Sequence, residues 1–358
     1  EAQENYRIAM QDLVYNPGLS LLELVSVESA KRLNLFVKNI SEQVRKEIKN
    51  PKLRSILEFP VLFLGAKPNK TPAFYNFMNH ADFGLGTWYP KGGFNAVALG
   101  MVKLAKELGV EFHVNEEVVG IDYENNQAKK IRTQNGVYEA DVFISGADYA
   151  HTEKLLNGNR NYSEEYWQKK TFAPSSFLYY VAFNRKVNHL LHHNLFFDTD
   201  FEAHAKEIYD TKVLPKQPLF YANFSSKTDD SLCEEGKEVG FFLIPVAVDL
   251  EDNEEIHEKY FQLILDRIKK CTGEDLSDAI VFKKSFGVKD FKERYHSCRG
   301  NAYGLANTLL QTSVLRPTIK NKKLKNFFYT GQLTVPGPGV PPALISGKVV
   351  TDYILKNN

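Results

Sequence analysis

The residues best suited to chemistry lie near the end of the chain, in a loop of alternating proline and glycine. The loop runs from Gly331 to Pro342 and follows the aromatic segment 327–329. Glycine lets backbone approach a ligand closely, and proline is favoured in the first turn of a helix. The apolar run 343–350 predicts such a helix, whose N-terminus would carry roughly half a positive charge. The pattern therefore predicts a site for a flat ligand with a negative edge, or for a pyrophosphate.

Side chains elsewhere give weaker signals for catalysis or metal binding. His192 and His193 are adjacent, but no carboxylate or cysteine cluster accompanies them, so we expect no metal site there. Asp229–Asp230 could supply a base near a substrate, although a solvated turn is the more usual setting for such a pair. Arg299 and Tyr303 could lie near the ligand. Because no Ser/His/Asp or Cys/His set stands out, the catalytic residues stay unknown at this point.

Composition limits the elements that must position these residues. The chain has 358 residues, of which 43% are hydrophobic, so it is predicted to be globular with two domains. Lys and Arg (45) balance Asp and Glu (44), which gives no reason to expect nucleic acid as a partner. The three cysteines are far apart and form no CxxC pair, which favours a reducing compartment. No apolar run approaches the 18 residues of a membrane span.

The first part of the chain predicts helices over residues 1–60, with an apolar run at 59–66 that is typical of a buried strand. Apolar residues at helical spacing predict a helix over 94–108 that packs on one side, followed by a strand at 110–114. Residues 118–139 then predict a small antiparallel meander, because short alternating runs are separated by turn residues.

The second half alternates between strands and helices. A short apolar strand at 142–145 ends at Gly146–Asp148, as strands of a doubly wound sheet end at a ligand crevice. Strands are predicted at 176–184 and 239–250, and an amphipathic helix at 254–272. Aromatic residues make up 13% of the chain and cluster in several of these segments. They indicate either core packing or a wall for a long apolar ligand.

Taken in order, several segments resemble the bacterial phytoene desaturase family, the FAD-dependent carotenoid desaturases and their relatives. The segments that carry the resemblance are Trp88–Gly93, Val110–Val118, Ala140–Asp148, Arg299–Gly304, Gln311–Pro317 and Phe327–Pro342. Members of this family begin with a strand–GxGxxG–helix unit that holds the FAD pyrophosphate. The chain shows no such unit, since Gly84-Leu85-Gly86 is too short and follows no predicted strand. The sequence leaves open whether the unit is absent from the protein or only from this chain.

The resemblance implies an α/β fold, in which a doubly wound FAD-binding domain of the flavin amine oxidase and phytoene desaturase type is interrupted by an α+β substrate domain with a mixed sheet and helices. It assigns residues 1–84 to a substrate and membrane-associated region and 85–156 to a first FAD-binding segment. It assigns 157–297 to the substrate domain and 298–358 to the C-terminal FAD-binding segment.

For the cofactor, the resemblance implies FAD and names its binding residues. It assigns the backbone of Val118 to the adenine, and Gly331 with Gln332 to the phosphate and ribitol end. Val340 and Pro341 are assigned to the flavin ring, and Gly339 to cofactor binding as well: the full set is Val118, Gly331, Gln332, Gly339, Val340 and Pro341.

The activity that the resemblance implies is desaturation of a C40 carotenoid, from CH–CH to C=C, with hydride transfer to flavin. It leaves open 3,4-desaturation of a 1-hydroxycarotenoid, phytoene desaturation, isomerisation or saturation on the same scaffold, and a non-catalytic carotenoid-binding remnant. A substrate of this kind resides in a bilayer, so we expect a cytoplasmic protein with peripheral membrane contact through its first 80 residues. The electron acceptor, the catalytic base and the oligomeric state stay unknown.

Overall fold

The computed structural model describes residues 1–24 and 33–357 of the chain. They form two compact units. The first comprises residues 1–87, 115–173 and 294–358, and the second comprises 88–114 and 174–293. No helix of the described residues is both long and apolar enough to cross a membrane.

The helices begin and end at residues that favour caps. Asn39 forms a capping box with Glu42, and Asn253 caps the longest described helix, which ends at Gly273 in the left-handed conformation. In chain order the described α-helices are α1 (Ala2–Ile8), α2 (Leu33–Val37), α3 (Ile40–Glu47), α4 (Pro51–Glu58), α5 (Phe77–Asn79), α6 (Gly93–Glu107), α7 (Tyr149–Leu155), α8 (Glu164–Lys169), α9 (Phe201–Lys206), α10 (Glu254–Thr272), α11 (Val288–Tyr295) and α12 (Val340–Asn357).

The strands are β1 (Val118–Glu124), β2 (Gln127–Thr133), β3 (Val137–Glu139), β4 (Phe143–Ser145), β5 (Ser175–Phe183), β6 (His193–Phe196), β7 (Phe220–Asn223), β8 (Glu238–Val246), β9 (Ile280–Phe286) and β10 (Phe327–Tyr329). In the first unit, β1–β2–β3 is an antiparallel meander, and β10 pairs with β4 in parallel. In the second unit, an antiparallel sheet has the order β6–β7–β8–β5–β9. The predicted meander is therefore confirmed.

The core of the first unit lies around the parallel pair. Phe328 packs with Val335 and with Val349 and Val350 of α12, all of which are buried. On its other side, the Tyr329 ring stacks on Tyr149 with ring centroids 3.8 Å apart. The short strand β10 is thus covered on both faces, which fixes where the loop after it begins.

The second unit buries one face of its sheet against α10. Alternate residues of β5 point into this core, and Tyr260 and Ile264 of α10 meet them. The strands predicted near 176–184 and 239–250, and the helix predicted at 254–272, are confirmed as β5, β8 and α10.

Three local predictions fail. The apolar run at 59–66 forms a 3-10 helix, Phe59–Leu64, not a strand. Residues 110–114 form no strand, and Phe112 and Val114 are exposed. Helix α6 forms where predicted, but its apolar side chains Leu99 and Leu104 are each 58% exposed, so the predicted packing is absent among the described residues. The common reason is that strands and apolar faces need a neighbour, which spacing along one segment does not specify.

Candidate flavin-binding site

The ends of β4 and β10 form one edge of the first unit, and a glycine follows each strand, Gly146 after β4 and Gly331 after β10. Parallel pairing places the carboxyl ends of the two strands side by side, and the backbone N–H of Thr330 donates to the carbonyl oxygen of Ser145 at 2.9 Å. Gly331 has φ +100°, and a Cβ added there would have only the carbonyl oxygen of Gly146 within 4 Å, at 3.8 Å. The edge is therefore open to a ligand that approaches the backbone closely.

The Pro/Gly loop that follows is tied down at its start. The N–H of Gly331 donates to the hydroxyl oxygen of Ser346 on α12 at 2.9 Å, and that hydroxyl donates to the carbonyl of Ala343. The N–H of Thr334 donates to the carbonyl oxygen of Gly331 at 3.1 Å. Gly337 and Gly339 have φ +133° and +117°, which disfavour any other residue. Hydrogen bonds thus fix the start of the loop, and its two later glycines adopt conformations that few other residues allow.

The first turn of α12 offers fewer donors than a helix usually does. Pro341 and Pro342 have no N–H, and the N–H of Ala343 donates to the carbonyl of Gly339 at 2.9 Å. Among positions 340–342, only Val340, which is half exposed, carries an N–H for a ligand. The helix dipole, rather than a set of free N–H groups, is therefore what favours a negative edge at this end.

Arg316 lies beneath the loop and binds it directly. Its Nε donates to the carbonyl of Thr334 and its Nη2 to the carbonyl of Gln332, both at 2.9 Å. Nη1 donates to the Asn307 side chain and to the carbonyl of Gln311, and Nη2 reaches the carbonyl of Leu305 at 3.4 Å. All five N–H donors of the guanidinium thus meet neutral oxygen acceptors.

No carboxylate among the described residues pairs with Arg316, which is 4% exposed. Burial lowers the pKa of Arg316 to about 10, so the group stays charged at neutral pH. Tyr75 and Tyr166 lie near it, but burial raises the pKa of each phenol, so neither is ionised there. A buried positive charge thus lies next to the loop, and the part of the chain that the structure describes gives it no negative partner.

Two further residues lie beside the Pro/Gly loop and the end of β4. Gly304 has φ +79°, and a Cβ there would lie 2.8 Å from the carbonyl oxygen of Gln332, so only glycine fits beside the loop. Asp148 caps α7 and accepts from the N–H groups of His151 and Cys298, and burial raises the pKa of its carboxyl.

The sequence did not identify Arg316, Ser346 or Asp148 as site residues. For Arg316, the only signal was a charged residue between apolar neighbours.

Several predicted residues lie away from this loop. Val118 opens β1, in a different sheet of the same unit, and its assignment to adenine stays a prediction. Arg299 has φ +63° and its guanidinium lies 5.6 Å from the ring centroid of Phe172. Asp229 is buried in the second unit and accepts from the N–H of Gly92 at 2.6 Å, so the expectation of a solvated turn is wrong.

The histidine pair also belongs to the second unit. Nδ1 of His192 lies 2.7 Å from the hydroxyl oxygen of Thr228, and the His192 ring stacks on His193 at 4.2 Å. Within residues 1–24 and 33–357, no group of three or more potential ligands could hold a metal ion.

The open edge, the glycines and the buried positive charge suit a flat, negatively polarised group such as a flavin. A model of the family of flavin containing amine oxidoreductases matches residues 19–355. The chain therefore belongs to this family, and its cofactor is FAD.

Among individual proteins, the chain is 38% identical to a carotenoid 3,4-desaturase of Haloarcula japonica, over 99% of this chain and 73% of that protein. It is 31% identical to a zeta-carotene-forming phytoene desaturase of Myxococcus xanthus, over 99% and 70%. A 1-hydroxycarotenoid 3,4-desaturase of a Flavobacterium species is 28% identical, over 90% and 66%. The predicted resemblance to carotenoid desaturases is confirmed.

Solved structures show the same fold at low identity. An oxidoreductase from Methanosarcina mazei matches with a TM-score of 0.59 and 17% identity, over 93% of this chain and 74% of that one. A putrescine oxidase redesigned in its cofactor binding matches with a TM-score of 0.54 and 12% identity, over 98% and 73%. The predicted α/β fold of the flavin amine oxidase type is therefore confirmed.

Proposed function

We propose that the chain belongs to an FAD-dependent carotenoid desaturase that converts CH–CH to C=C. The observation that carries this proposal is the 38% identity to a carotenoid 3,4-desaturase across 99% of the chain. FAD supplies the two-electron acceptor for the hydrogen removed from carbon. The residues of the chain have to bind and orient both partners, and we assign the cofactor to Val118 and to Gly331, Gln332, Gly339, Val340 and Pro341.

For the substrate, we assign the face of the five-stranded sheet in the second unit that is opposite to the face packed on α10. Two rows of side chains cross all five strands on this face, as the register of paired residues defines them. One row is Leu195, Tyr221, Leu243, Leu178 and Phe286, and the other is His193, Asn223, Phe241, Tyr180 and Lys284. Four spacings of about 4.8 Å make the rows roughly 19 Å long, which suits an extended polyene that stacks on aromatic rings.

One end of this face is polar and favours a hydroxylated substrate. The hydroxyl of Tyr221 lies 2.5 Å from Nδ1 of His193 and accepts from Nδ2 of Asn223 at 2.8 Å. The middle of the face, at Tyr180 and Phe241, is aromatic, with ring centroids 5.3 Å apart. We therefore favour 3,4-desaturation of a 1-hydroxycarotenoid over phytoene desaturation, because the network can hydrogen-bond a terminal hydroxyl.

Product analysis tests the proposal. Purified flavin-loaded protein is incubated separately with a 1-hydroxycarotenoid and with phytoene, and the products are separated and their masses measured. Loss of two hydrogens from the hydroxylated substrate is the expected result. Loss from phytoene alone would reassign the step, whereas an unchanged mass with altered geometry indicates an isomerase, and a gain of two hydrogens a saturase. A purified protein without flavin that binds carotenoid would support the non-catalytic alternative.

We also propose peripheral membrane contact through the first 80 residues, in keeping with a substrate that resides in a bilayer. Leu53 and Ile56 of α4 are about half exposed, and Lys52 lies beside them. Lys67 and Lys70 follow in the next loop. Sedimentation of the protein with anionic liposomes is the expected result, and a protein that stays wholly in the supernatant at low salt would contradict it.

The assignment of residues 85–156 and 298–358 to FAD binding, of 157–297 to substrate binding, and of 1–84 to membrane contact is part of the same proposal. Cross-linking with a photoreactive flavin and a photoreactive carotenoid, followed by peptide mapping, tests it directly. Flavin adducts outside 85–156 and 298–358 would contradict the boundaries.

A further inference from the structure

Arg316 carries a positive charge in the interior of the first unit, next to the Pro/Gly loop. The guanidinium is 4% exposed, and it donates all five of its N–H groups to neutral oxygens. Burying a charge is costly unless an opposite charge or strong hydrogen bonds compensate. Here hydrogen bonds are present, but no carboxylate among the described residues is paired with the group. Such a buried positive charge attracts and stabilises any negative charge that forms nearby.

The loop lies directly against this charge. Arg316 holds the carbonyls of Gln332 and Thr334, and a Cβ on Gly337 would lie 3.5 Å from its Cζ. Of this loop, we assign the flavin to Gly331, Gln332, Gly339, Val340 and Pro341. The inference therefore rests on the proposed placement of the cofactor.

We propose that Arg316 is a positioning residue that fixes the flavin-binding loop and supplies the positive charge that stabilises reduced flavin. Bound FAD would accept the hydride that leaves the substrate carbon, that is two electrons and one proton, and would so gain one unit of negative charge. The neighbouring substrate carbon loses a proton, so that the C=C bond forms and charge balances. Arg316 takes no proton in this step; it stabilises the charge that arrives.

A substitution at Asn307 tests the charge without removing Arg316. The side-chain oxygen of Asn307, which is 2% exposed, accepts from Nη1 of Arg316. Asn307→Asp keeps this hydrogen bond and places a carboxylate beside the guanidinium, so the pair becomes neutral overall. We expect the equilibrium constant for two-electron reduction of the bound flavin to fall at least tenfold, a downward shift of about 30 mV for a two-electron couple. The dissociation constant of the flavin–sulfite adduct, which also carries a negative charge, should rise at least tenfold.

Asn253→Asp is the matched control. Asn253 caps α10 in the second unit, where aspartate caps equally well, so this variant adds the same negative charge elsewhere in the chain. Its reduction potential and sulfite affinity should equal those of the unchanged protein. A second variant, Arg316→Lys, keeps the charge but loses the planar fork, so its potential should change little while its FAD dissociation constant rises at least tenfold.

The outcomes separate this inference from the proposed function. A flavin-loaded Asn307→Asp variant with unchanged potential and sulfite affinity would overturn the role of the Arg316 charge. A lowered potential in Asn253→Asp would show that any added negative charge has this effect, and would overturn the assignment to the surroundings of Arg316. An Arg316→Lys variant with unchanged FAD affinity would overturn the positioning role. A protein that carries no flavin even when unchanged would instead refute the proposed function itself.

Discussion

Gly331 combines an unusual backbone conformation with open space around its Cα. It lies two residues after β10, its φ of +100° is a conformation that other residues rarely adopt, and its N–H donates to the hydroxyl oxygen of Ser346. A side chain there would also point into the open edge, because almost no protein atom lies within 4 Å of an added Cβ. The backbone conformation and the open space thus both suit the close approach of a ligand that we propose at this position.

At this position, Gly331→Ala should reduce FAD affinity at least tenfold, because the methyl group occupies space assigned to the cofactor. The backbone strain alone costs about 1–2 kcal/mol. Gly236→Ala is the matched control, since Gly236 has φ +81° and nothing within 4 Å of an added Cβ, but lies in the second unit. FAD titration by absorbance compares the two. Equal losses of affinity in both variants would show that strain, not contact with FAD, is responsible.

Individual residues also show the limits of the sequence. Gly331 and Gln332 are assigned to FAD by the family resemblance, which the alternating glycine and proline after them helps to carry, and this assignment stays a prediction. Arg316 was not found as a site residue, since a single arginine is usually exposed and its burial depends on Gln332 and Thr334 closing over it. Asp229 was misjudged for the same reason: its partner, Gly92, is far away in sequence.

Among the elements, the two faces of the β5–β8 pair have different surroundings. One face packs on α10, and the other carries Tyr180 opposite Phe241. Cross-strand pairs of this kind stabilise a sheet, but Tyr180 is 45% exposed and contributes little to the core.

Tyr180→Lys should therefore lower kcat/KM for the carotenoid at least tenfold, because a charged side chain lies where the polyene is proposed to stack. The free energy of unfolding should change by about 0.5 kcal/mol or less, as for most surface substitutions. Val281→Lys introduces the same side chain at another exposed apolar position of the sheet, on β9 but in neither row. If both variants keep full kcat/KM, the sheet face is not the substrate surface.

His204 couples α9 to the sheet in a pH-dependent way. It is 3% exposed, its Nε2 lies 3.0 Å from the carbonyl of Pro245, and its Nδ1 accepts from the N–H of Leu219 at 3.0 Å. Burial lowers the pKa of His204 to about 4, from a usual value of 6.5. The neutral ring is therefore the form that the folded state holds.

Because the unfolded chain binds a proton at higher pH than the folded one, stability falls as the pH drops from 6.5 to 4. A shift of this size corresponds to about 3 kcal/mol, lost progressively over that window. His204→Gln should remove this part of the pH dependence, as measured by urea unfolding at several pH values. His189→Gln, at an exposed position, should leave it unchanged. A pH profile that is the same in both variants would contradict the assignment to His204.

Element prediction succeeded where the signal is local and failed where it is not. Helix α6, strands β1 to β3 and helix α10 follow from spacing, caps and turn residues within each segment. Residues 110–114 have the apolar composition of a strand, but a strand also needs a hydrogen-bonded neighbour, and none is present in the described residues. The short run Phe59–Leu64 shows the familiar ambiguity between a buried strand and a helical turn.

For the whole molecule, removal of FAD should lower stability. A ligand that binds only the folded state stabilises it by about 2.7 kcal/mol at one hundred times its dissociation constant. Urea unfolding of the flavin-loaded and flavin-free forms at equal protein concentration measures the difference. Because the proposed contacts at Gly331–Pro341 lie in the first unit, we expect its tyrosine cluster around Tyr329 to report the change most strongly. Identical unfolding midpoints would contradict flavin binding to the folded chain.

The pairing of β4 with β10 has a consequence for the order in which the molecule is made. Phe143 lies opposite Phe327, so 184 residues (327 minus 143) separate the two, and most of the second unit lies between them. Closing a loop of this length costs about 5 kcal/mol in chain entropy, apart from a constant. At the usual speed of translation, roughly 10–40 s pass between synthesis of the two strands. Strand β4 therefore gains its parallel partner only after that interval, and a cofactor bound at the carboxyl ends of both strands would be captured late in biosynthesis.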